Sequence, residues 1–237
     1  MMNYLTHSKE GELAIGMVVQ RPGVKLYKPY YHTVKRILEL TICLMMAPFL
    51  IPLCLIIAIL ILLDTAGPAL FIQERIGKGG RSFKMIKFRT MHHNIDNSSH
   101  QAYMKEFING NLTSTEGGKQ VFKPFSVNQV TRIGRILRKT SLDELPQLIN
   151  VFKGEMSLVG PRPNVIWEVE AYLGWHMERL EVPPGITGLA QVRGRSSISF
   201  DEIVRYDIQY IKNQGLLFDI KIIWWTISSV IFGKGAE

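Results

Sequence analysis

One uninterrupted apolar run, T-I-C-L-M-M-A-P-F-L-I-P-L-C-L-I-I-A-I-L-I-L-L, dominates the hydrophobic pattern and extends from Thr41 to Leu63. Its 23 residues carry no charge and are long enough to span a bilayer as a helix. Pro48 and Pro52 lie four residues apart within the run, and each removes a backbone hydrogen bond. The pattern therefore predicts a membrane helix that is kinked near its centre.

Cationic residues flank this run on both sides, which bears on its path through the bilayer. Positive residues near a membrane segment mark the cytoplasmic side. Here Lys25, Lys28, Lys35 and Arg36 precede the run, and Arg75, Lys78, Arg81, Lys84, Lys87 and Arg89 follow it. A re-entrant helix that bends at the prolines and leaves the membrane by the face it entered would place both cationic flanks on the cytoplasmic side. A kinked helix that crosses the bilayer is the alternative.

A second apolar segment, F-D-I-K-I-I-W-W-T-I-S-S-V-I-F, covers Phe218 to Phe232. It is too short to span a bilayer. Its Trp224-Trp225 pair favours the level of the lipid headgroups. The segment therefore predicts an interfacial helix, with a buried core helix as the alternative.

Two shorter apolar stretches, Ala69–Ile76 and Phe83–Met91, predict strands joined by the turn G-K-G-G-R-S. The turn lacks the G-x-x-x-x-G-K-[ST] spacing of a phosphate-binding loop, so a glycine-rich hairpin is the better interpretation. Lys87 and Arg89, two residues apart, would share one face of the second strand. The polar segment 92–129 that follows predicts one short helix, around Gln101–Ile108.

An acidic pair, Asp143 and Glu144, follows a helical stripe of arginines in R-I-G-R-I-L-R-K. Ser141 and Glu144 have the S-x-x-E spacing of a capping box. On this interpretation the acidic pair only stabilises the start of a helix. Pro146 argues against it, because in the second turn of such a helix it would free a backbone carbonyl. Whether the pair caps a helix or carries chemistry depends on its surroundings.

The composition and net charge limit the classes of partner that the protein is suited to bind. The chain of 237 residues has 28 Lys+Arg against 20 Asp+Glu, a net charge of +8, which suits nucleic acid, anionic membranes or phosphorylated substrates. The apolar run would confine a nucleic-acid-binding protein to the membrane, and the sequence shows no aromatic–basic binding module. The two cysteines, Cys43 and Cys54, both lie in the apolar run and indicate neither a disulfide framework nor a metal site.

Many cations surround the acidic pair in the sequence: Lys87, Arg89, Arg138, Lys139, Arg162, Arg193 and Arg195. A carboxylate that attacks a diphosphate meets like charge, which costs about 4 kcal/mol for each unit-charge pair at ~4 Å and an effective dielectric of about 20. Several cations are needed to offset this repulsion, and Mg²⁺ suits the purpose because it binds through one or two carboxylates plus substrate phosphates. Asp143 at a helix start can be a nucleophile.

Four motifs together resemble the bacterial sugar transferase family, the monotopic polyprenyl-phosphate phosphoglycosyl transferases. They are K-F-R-T-M (87–91), L-R-K-T-S-L-D-E-L-P-Q-L-I-N-V (137–151), M-S-L-V-G-P-R-P (156–163) and P-G-I-T-G-L-A-Q-V (184–192). The similarity extends in order from about Lys35 to Phe232. The sequence departs from the common pattern in having a second proline at Pro52 in the membrane run.

The resemblance implies a fold and a location. The expected fold is α+β and mainly helical, with a proline-broken re-entrant helix, a small β-hairpin and interfacial amphipathic helices. The expected division is an N-terminal extension at 1–29, the re-entrant helix at 30–65 and a cytoplasmic catalytic domain at 66–237. The protein would lie on the cytoplasmic face of the bacterial inner membrane with both termini in the cytoplasm, as a short form without a bundle of spanning helices.

The resemblance also implies a mechanism. Asp143 attacks the β-phosphate of a UDP-sugar and expels UMP, and the aspartate-bound sugar phosphate passes to a polyprenyl phosphate such as undecaprenyl phosphate. Glu144 would assist with the metal or act as a base, so both carboxylates are expected at a Mg²⁺ site. The expected substrate-binding residues are Lys87, Arg89, Arg138, Arg162, Gln191 and Arg195.

Several points stay open at this level. A hexose such as galactose or glucose is the expected sugar, and a membrane-docked homodimer is compatible with the sequence. Residues 92–129 are hypothesised to form a lid over the nucleotide. The alternative function is a non-enzymatic membrane-docked scaffold with a cationic face, to which an acidic pair would contribute nothing.

Overall fold

The computed structural model describes residues 29–92, 98–110, 129–194 and 198–232. Over these residues the chain is mostly helical and carries two small two-stranded sheets, which confirms the expected mainly helical α+β composition. The predicted extension at 1–29 lies outside the described residues except for its last position. Much of the hypothesised lid, 93–97 and 111–128, also lies outside them.

The elements follow one another from a long membrane-type helix to a set of short ones. The helices are α1 (Pro29–Asp64), α2 (Ser98–Ile108), α3 (Arg132–Thr140), α4 (Gln147–Lys153), α5 (Ile166–Val169), α6 (Leu189–Arg193), α7 (Phe200–Lys212) and α8 (Leu216–Ile231). The strands are β1 (Leu70–Ile76), β2 (Ser82–Phe88), β3 (Ser157–Val159) and β4 (Gly185–Thr187).

Helix α1 has 36 residues and is about 54 Å long at a rise of 1.5 Å per residue. By length and composition it could cross a membrane, and only 11% of its most apolar window is buried against the rest of the protein. Pro48 and Pro52 lie inside the helix, which continues across both of them. The membrane-type helix is thus present as predicted, whereas its re-entrant path stays a prediction.

The first third of α1 is fastened to the rest of the chain by three polar side chains on one side of the helix. Lys35 donates to the carbonyl oxygen of Val159 at 2.8 Å, and the Glu39 carboxylate accepts from the N–H of Leu158 at 2.8 Å. Arg36 donates to the Phe152 carbonyl at 2.8 Å, at the end of α4. Because Lys35 and Arg36 each lie about one turn before Glu39, all three side chains lie on one side of α1, which contacts β3 and α4.

The last third of α1 packs through apolar contacts instead. Ile57 and Ile61 are buried in a cluster with Phe88 of β2 and Leu137 of α3. The middle of α1, which contains both prolines, has exposed apolar side chains; Phe49, between the prolines, is 74% exposed. Both ends of the helix therefore contact the same globular part of the protein, whereas the side chains around Pro48 and Pro52 are largely exposed.

Strands β1 and β2 form the predicted hairpin, antiparallel from the Leu70–Phe88 pair to the Ile76–Ser82 pair. The turn between them includes Gly79 with φ = 68°, in the left-handed region that glycine adopts at little cost. The predicted hairpin is confirmed, with strand ends shifted by no more than three residues. Arg75 lies on β1 and Lys87 on β2.

Strands β3 and β4 form a parallel pair that the sequence did not predict. They bring the motif V-G-P-R-P next to the motif P-G-I-T-G. Gly160 and Gly185 permit this approach, because a side chain on Gly185 would overlap the backbone of Gly160. Each strand has three residues, too few to show an alternating pattern in the sequence.

Helix α8 combines the two interpretations made for the second apolar segment. Ile222 is fully buried, and the Asp219 carboxylate accepts hydrogen bonds from the hydroxyls of Tyr31 and Tyr210 at 2.8 and 2.9 Å. Another face is apolar and exposed, with Trp224 at 68%. The helix is therefore half core and half surface, and its contact with lipid is a proposal below.

Candidate active site

The acidic pair lies in a tight turn between α3 and α4. Asp143 and Glu144 belong to the 3₁₀ turn Leu142–Glu144, while the flanking Leu142 and Leu145 pack against the buried cluster at the end of α1. The leucines point to the core and the two carboxylates line a cavity. The pattern L-D-E-L thus fastens two acids beside the end of a membrane-type helix.

The capping-box interpretation of this turn is wrong. Ser141 has φ = 56° and ends α3 in the left-handed conformation, and its side chain caps no backbone N–H. The Glu144 carboxylate instead lies 3.6 Å from the Arg162 guanidinium. Pro146 directly precedes α4, where a missing N–H removes no helical hydrogen bond, so it does not lie in the second turn of a capped helix.

A cavity of about 790 Å³ contains the acidic pair. Its walls come from the hairpin, from α2, from α3 and from the segment between β3 and α5. The charged side chains that line it are Arg75, Lys87, Arg89, Arg138, Arg162, Arg179, Asp143, Glu144 and Glu168. Six cations against three carboxylates make this cavity suitable for an anionic substrate.

Lys87 reaches the cavity from β2. Its ammonium nitrogen lies 5.4 Å from the centre of the Phe71 ring, on the paired position of β1. Burial, with the nearby Arg162 and Arg75 guanidinium groups, lowers the pKa of Lys87 to about 8, and Asp143 opposes this shift. Lys87 is therefore a cation near neutral pH that can lose its charge at mildly alkaline pH.

Arg138 is placed by the close approach of α3 to the end of the hairpin. Gly134 makes this approach possible, since a side chain there would overlap the Thr90 carbonyl. Arg138 Nε donates to the Thr90 hydroxyl at 2.9 Å. Burial lowers the pKa of Arg138, and the charge of Asp143 opposes that effect.

Arg162 extends from a segment whose backbone is held along its length. The side chain is 52% exposed and pairs with Glu144. The supporting bonds run from Gly160 N to Thr187 O, from Gly185 N to Pro161 O, from Arg179 Nη2 to Arg162 O, from Arg75 Nη1 to Pro163 O and from Ile76 N to Asn164 O. The backbone is thus fixed by several elements while the guanidinium can meet a ligand.

Arg75 and Arg179 are cavity residues that sequence reasoning did not select as binding residues. Arg179 forms a buried ion pair with Asp207 at 2.6 Å, and Arg75 lies 3.9 Å from Glu168. Arg75 could have been found from the strand pattern. It is four residues from Phe71 on β1 and so lies on the same face of the strand, and Phe71 pairs with Lys87 on β2. The local sequence pattern gives no such signal for Arg179, because its ion-pair partner Asp207 lies on a different element.

Three predicted binding residues have other positions. The Arg89 guanidinium lines the cavity but donates to the carbonyls of Thr65 and Ala66 at 2.8 Å, which fixes the end of α1. Gln191 donates to the Ile186 carbonyl at 3.2 Å and is not among the cavity-lining residues. Arg195 lies outside the described residues. Substrate contacts for all three stay predictions.

Burial raises the pKa of both carboxylates. For Asp143, the positive charges of Lys87 and Arg138 oppose the shift. For Glu144, Arg162 opposes it and the negative charge of Asp143 adds to it. In both cases desolvation of the ionised carboxylate outweighs its attraction to the neighbouring cations. An additional cation beside the pair would therefore stabilise the ionised forms.

The donor set fits magnesium bound together with a phosphate. Within the described ranges, no group of three or more His, Cys, Asp or Glu side chains is placed to hold a metal ion. Asp143 and Glu144 supply two carboxylates, and Mg²⁺ takes one or two of these while keeping waters and substrate phosphates. An ion that requires a complete protein cage would not fit.

Comparison with known proteins gives consistent matches. The family model described as bacterial sugar transferase matches residues 30–233. The chain is 40% identical to the galactosyl transferase CpsE of Streptococcus agalactiae serotype III over 223 residues, which cover 91% of this chain and 46% of CpsE. It is 38% identical to the exopolysaccharide production protein ExoY of Sinorhizobium fredii, over 85% of this chain and 87% of ExoY.

A third relative has a more specific name. The chain is 37% identical to the UDP-glucose:undecaprenyl-phosphate glucose-1-phosphate transferase of Caulobacter vibrioides, over 91% of this chain and 76% of that protein. The chain spans about half the length of CpsE and most of the length of the other two.

Proposed function

The chain belongs to the bacterial sugar transferase family, and we propose that it moves a sugar 1-phosphate from a UDP-sugar to polyprenyl phosphate. The observation that carries this proposal is the cavity in which Asp143 and Glu144 meet Lys87, Arg138 and Arg162. Relatives named as undecaprenyl-phosphate transferases of glucose and galactose phosphates support a hexose donor, while another relative is named for N-acetylgalactosamine phosphate. Relatives named as exopolysaccharide production proteins support a role at the start of glycan assembly.

In the first step, a carboxylate oxygen of Asp143 attacks the β-phosphorus of the UDP-sugar. The bond from this phosphorus to the bridging oxygen breaks, and UMP leaves with the electron pair. The product is a sugar phosphate bound covalently to Asp143. The positive charges of Lys87 and Arg138 interact favourably with Asp143 and offset the repulsion between its carboxylate and the diphosphate.

In the second step, a phosphate oxygen of the polyprenyl phosphate attacks the same phosphorus. The bond to the Asp143 oxygen breaks and restores the carboxylate, leaving a polyprenyl-diphospho-sugar. Both attacking groups are anions, so the same cations serve both steps. Arg162, paired with Glu144 and fixed through its backbone, is suited to bind the transferred phosphoryl group.

We propose Mg²⁺ as the cofactor, held by Asp143 and Glu144. When bound it would supply positive charge to the phosphate oxygens and favour the departure of UMP. The raised pKa values of both carboxylates support this proposal, because an added cation would stabilise their ionised forms.

The path of α1 is proposed to be re-entrant, with the protein on the cytoplasmic face of the bacterial inner membrane. Its two ends, around Lys35 and around Ile61, contact the same globular part, which a helix crossing the bilayer between them would place on opposite sides. The exposed apolar centre with Pro48 and Pro52 would then enter the lipid. The exposed apolar face of α8, including Trp224, would lie at the headgroup level.

A re-entrant path of α1 predicts that cysteines placed on either side of the helix react with a maleimide from the same side of the membrane. Tyr30→Cys and Ala66→Cys, each in a chain with serine at 43 and 54, should react with a membrane-impermeant maleimide only from the cytoplasmic side. Reaction in inverted vesicles and protection in spheroplasts would be the expected result for both sites. Opposite accessibility of the two sites would show a crossing helix and contradict the re-entrant path.

The pH dependence of UMP release should be bell-shaped. Asp143 and Glu144 have raised pKa values in the absence of a bound cation, so at limiting Mg²⁺ activity should be lost on acidification at a pH above the ordinary carboxyl range. Lys87 has a pKa of about 8, so its charge is present below that pH and lost above it. Initial rates at constant ionic strength should therefore fall above about pH 8.

The matched variant for the alkaline limb is Lys87→Arg. Arginine keeps its charge throughout this range, so the fall near pH 8 should move to higher pH. An alkaline limb that stays in place in Lys87→Arg would show that another group titrates.

The activity itself is tested with purified protein, Mg²⁺ and a panel of UDP-hexoses, with and without polyprenyl phosphate. Release of UMP and formation of a polyprenyl-diphospho-sugar with one or more sugars is the expected result. A mass gain of one sugar phosphate on the protein without acceptor would support the covalent route. Absence of turnover with every sugar tested would favour a non-enzymatic scaffold.

A further inference from the structure

Helix α8 carries an exposed apolar stripe on the side opposite its buried face. The stripe consists of Leu217, Ile220, Trp224 and Ile227, all of which are exposed. Their spacing of three and four residues places them along one side of the helix. Ile222, on the other side, is fully buried. A helix with one apolar exposed side is suited to lie in the plane of a membrane surface.

The contact between α8 and α1 sets the level of this apolar stripe. Asp219, near the start of α8, lies 3.1 Å from the Lys35 ammonium on α1. The exposed apolar part of α1 begins directly after Lys35, with Ile37 at 58% exposure and Leu38 at 45%. The apolar stripe of α8 therefore begins where α1 would enter the lipid, at the level of the headgroups.

Two cations lie beside the apolar stripe, around the ring of Trp225. The guanidinium carbon of Arg193, at the end of α6, lies 4.7 Å from the ring centre, and the Lys221 ammonium lies 5.1 Å from it. Lys221 directly follows Ile220 of the stripe and is one turn before Trp225. Val192 and Trp225 pack against the same buried cluster, which holds α6 and α8 together. Packing between two helices thus places both cations at the edge of the stripe.

The charges of Arg193 and Lys221 are not neutralised by the part of the chain that the structure describes. Neither side chain forms an ion pair with a carboxylate of the described residues, and both are exposed. Neither is among the residues that line the cavity of the acidic pair. Tryptophan itself favours the headgroup level of a membrane. The two positive charges are therefore available to an anionic group at this level, outside the cavity.

We infer that Arg193, Lys221 and Trp225 bind the headgroup phosphate of an anionic phospholipid of the bilayer. Such a headgroup carries a net negative charge that both cations attract, whereas a zwitterionic headgroup carries none. The inference rests on the proposed lipid contact of α8 and not on the transfer reaction. An acidic protein partner would match the two cations, but the apolar stripe beside them requires hydrocarbon.

The test measures lipid binding to the full-length protein in detergent by native mass spectrometry, with titrations of phosphatidylglycerol and of phosphatidylcholine. The wild-type protein should prefer phosphatidylglycerol, and its affinity should fall as the ionic strength rises. Arg193→Gln combined with Lys221→Gln should lower this affinity by about tenfold or more, since each cation near a membrane surface contributes about fivefold. The affinity for phosphatidylcholine should stay within about twofold.

Three further variants separate the charges of this site from other effects. Lys105→Gln combined with Arg205→Gln removes the same charge from exposed positions on α2 and α7 and should keep the preference for phosphatidylglycerol. Arg193→Lys combined with Lys221→Arg keeps both charges at the site and should keep the preference as well. Lys221→Gln alone, at an exposed position, should lose about fivefold, and this second reading holds if the double variant has a lowered thermal midpoint.

Several outcomes would overturn the inference. One is an unchanged affinity for phosphatidylglycerol in the Arg193 and Lys221 variants, and another is an equal loss in the Lys105 and Arg205 control. Equal losses for both lipids would show general lipid contact without recognition of charge. A wild-type dimer that the double variant abolishes would assign the surface to a second copy of the chain. UMP release is measured on the same wild-type samples, so a failure of the transferase function would be seen separately from lipid binding.

Discussion

Asp143→Asn is expected to form no covalent adduct and to lose turnover by at least about 10⁴-fold, the scale seen when a covalent nucleophile is removed. The amide keeps the size of the carboxylate but has no anionic oxygen to attack the phosphorus. The measurement is intact mass after incubation with Mg²⁺ and the UDP-sugar that the wild-type protein accepts, together with release of UMP.

The same substitution should not destabilise the fold. Burial raises the pKa of Asp143 in the folded protein, so its ionised form costs folding free energy near neutral pH. A neutral asparagine removes this cost, and the thermal midpoint should be equal to or higher than that of the wild type. A lower midpoint would mean that lost activity could reflect misfolding rather than lost chemistry.

Glu144→Gln is the neighbouring comparison. It removes the charge that pairs with Arg162 but leaves the nucleophile, so the adduct should still form, more slowly by about 10²-fold or more. An adduct that persists in Asp143→Asn and disappears in Glu144→Gln would assign the nucleophile to Glu144. Unchanged turnover in both variants would favour the scaffold.

Asp219→Ala is expected to lower the free energy of unfolding by about 3–5 kcal/mol. Asp219 lies 3.1 Å from the Lys35 ammonium, and both side chains are almost fully buried. Removing the carboxylate leaves Lys35 as an unpaired buried charge and leaves the hydroxyls of Tyr31 and Tyr210 without this acceptor. For a domain of this size, the thermal midpoint should fall by about 10 °C.

The matched variants for this prediction separate charge from packing. Glu170→Ala, an exposed carboxylate, should change the midpoint by less than about 2 °C. Lys35→Met combined with Asp219→Leu removes both charges and should recover much of the loss, because apolar pairs often replace buried ion pairs without cost. A midpoint unchanged in Asp219→Ala would show that α1 and α8 do not depend on this contact.

The sequence predicted those elements whose pattern is local. The apolar run of α1, the glycine-rich turn of the hairpin and the arginine stripe of α3 each depend on neighbouring residues, so their periodicity identifies them. Elements defined by distant contacts were missed. The parallel pair of β3 and β4 is held by Gly160 and Gly185, and its three-residue strands carry no pattern.

The acidic turn shows the limit of a local motif. Ser141 and Glu144 have capping-box spacing, yet Ser141 ends α3 in a left-handed conformation and Glu144 pairs with Arg162. The packing of Leu142 and Leu145 against α1 decides this geometry, and no spacing within the turn reports it. Sequence-level rules fail most readily where tertiary contacts shape a functional site.

By itself, the sequence determined the kinds of chemistry available: a membrane-type helix, an excess of cations and one acidic pair, together with motifs specific enough to identify the family. The tertiary structure alone decided which cations meet the acids. It gathers Lys87, Arg138 and Arg162 around Asp143, fastens Arg89 to the end of α1 and adds Arg75 and Arg179 to the cavity. The physical reason is that charge interactions depend on distance and burial, which are set by packing between elements far apart in the chain.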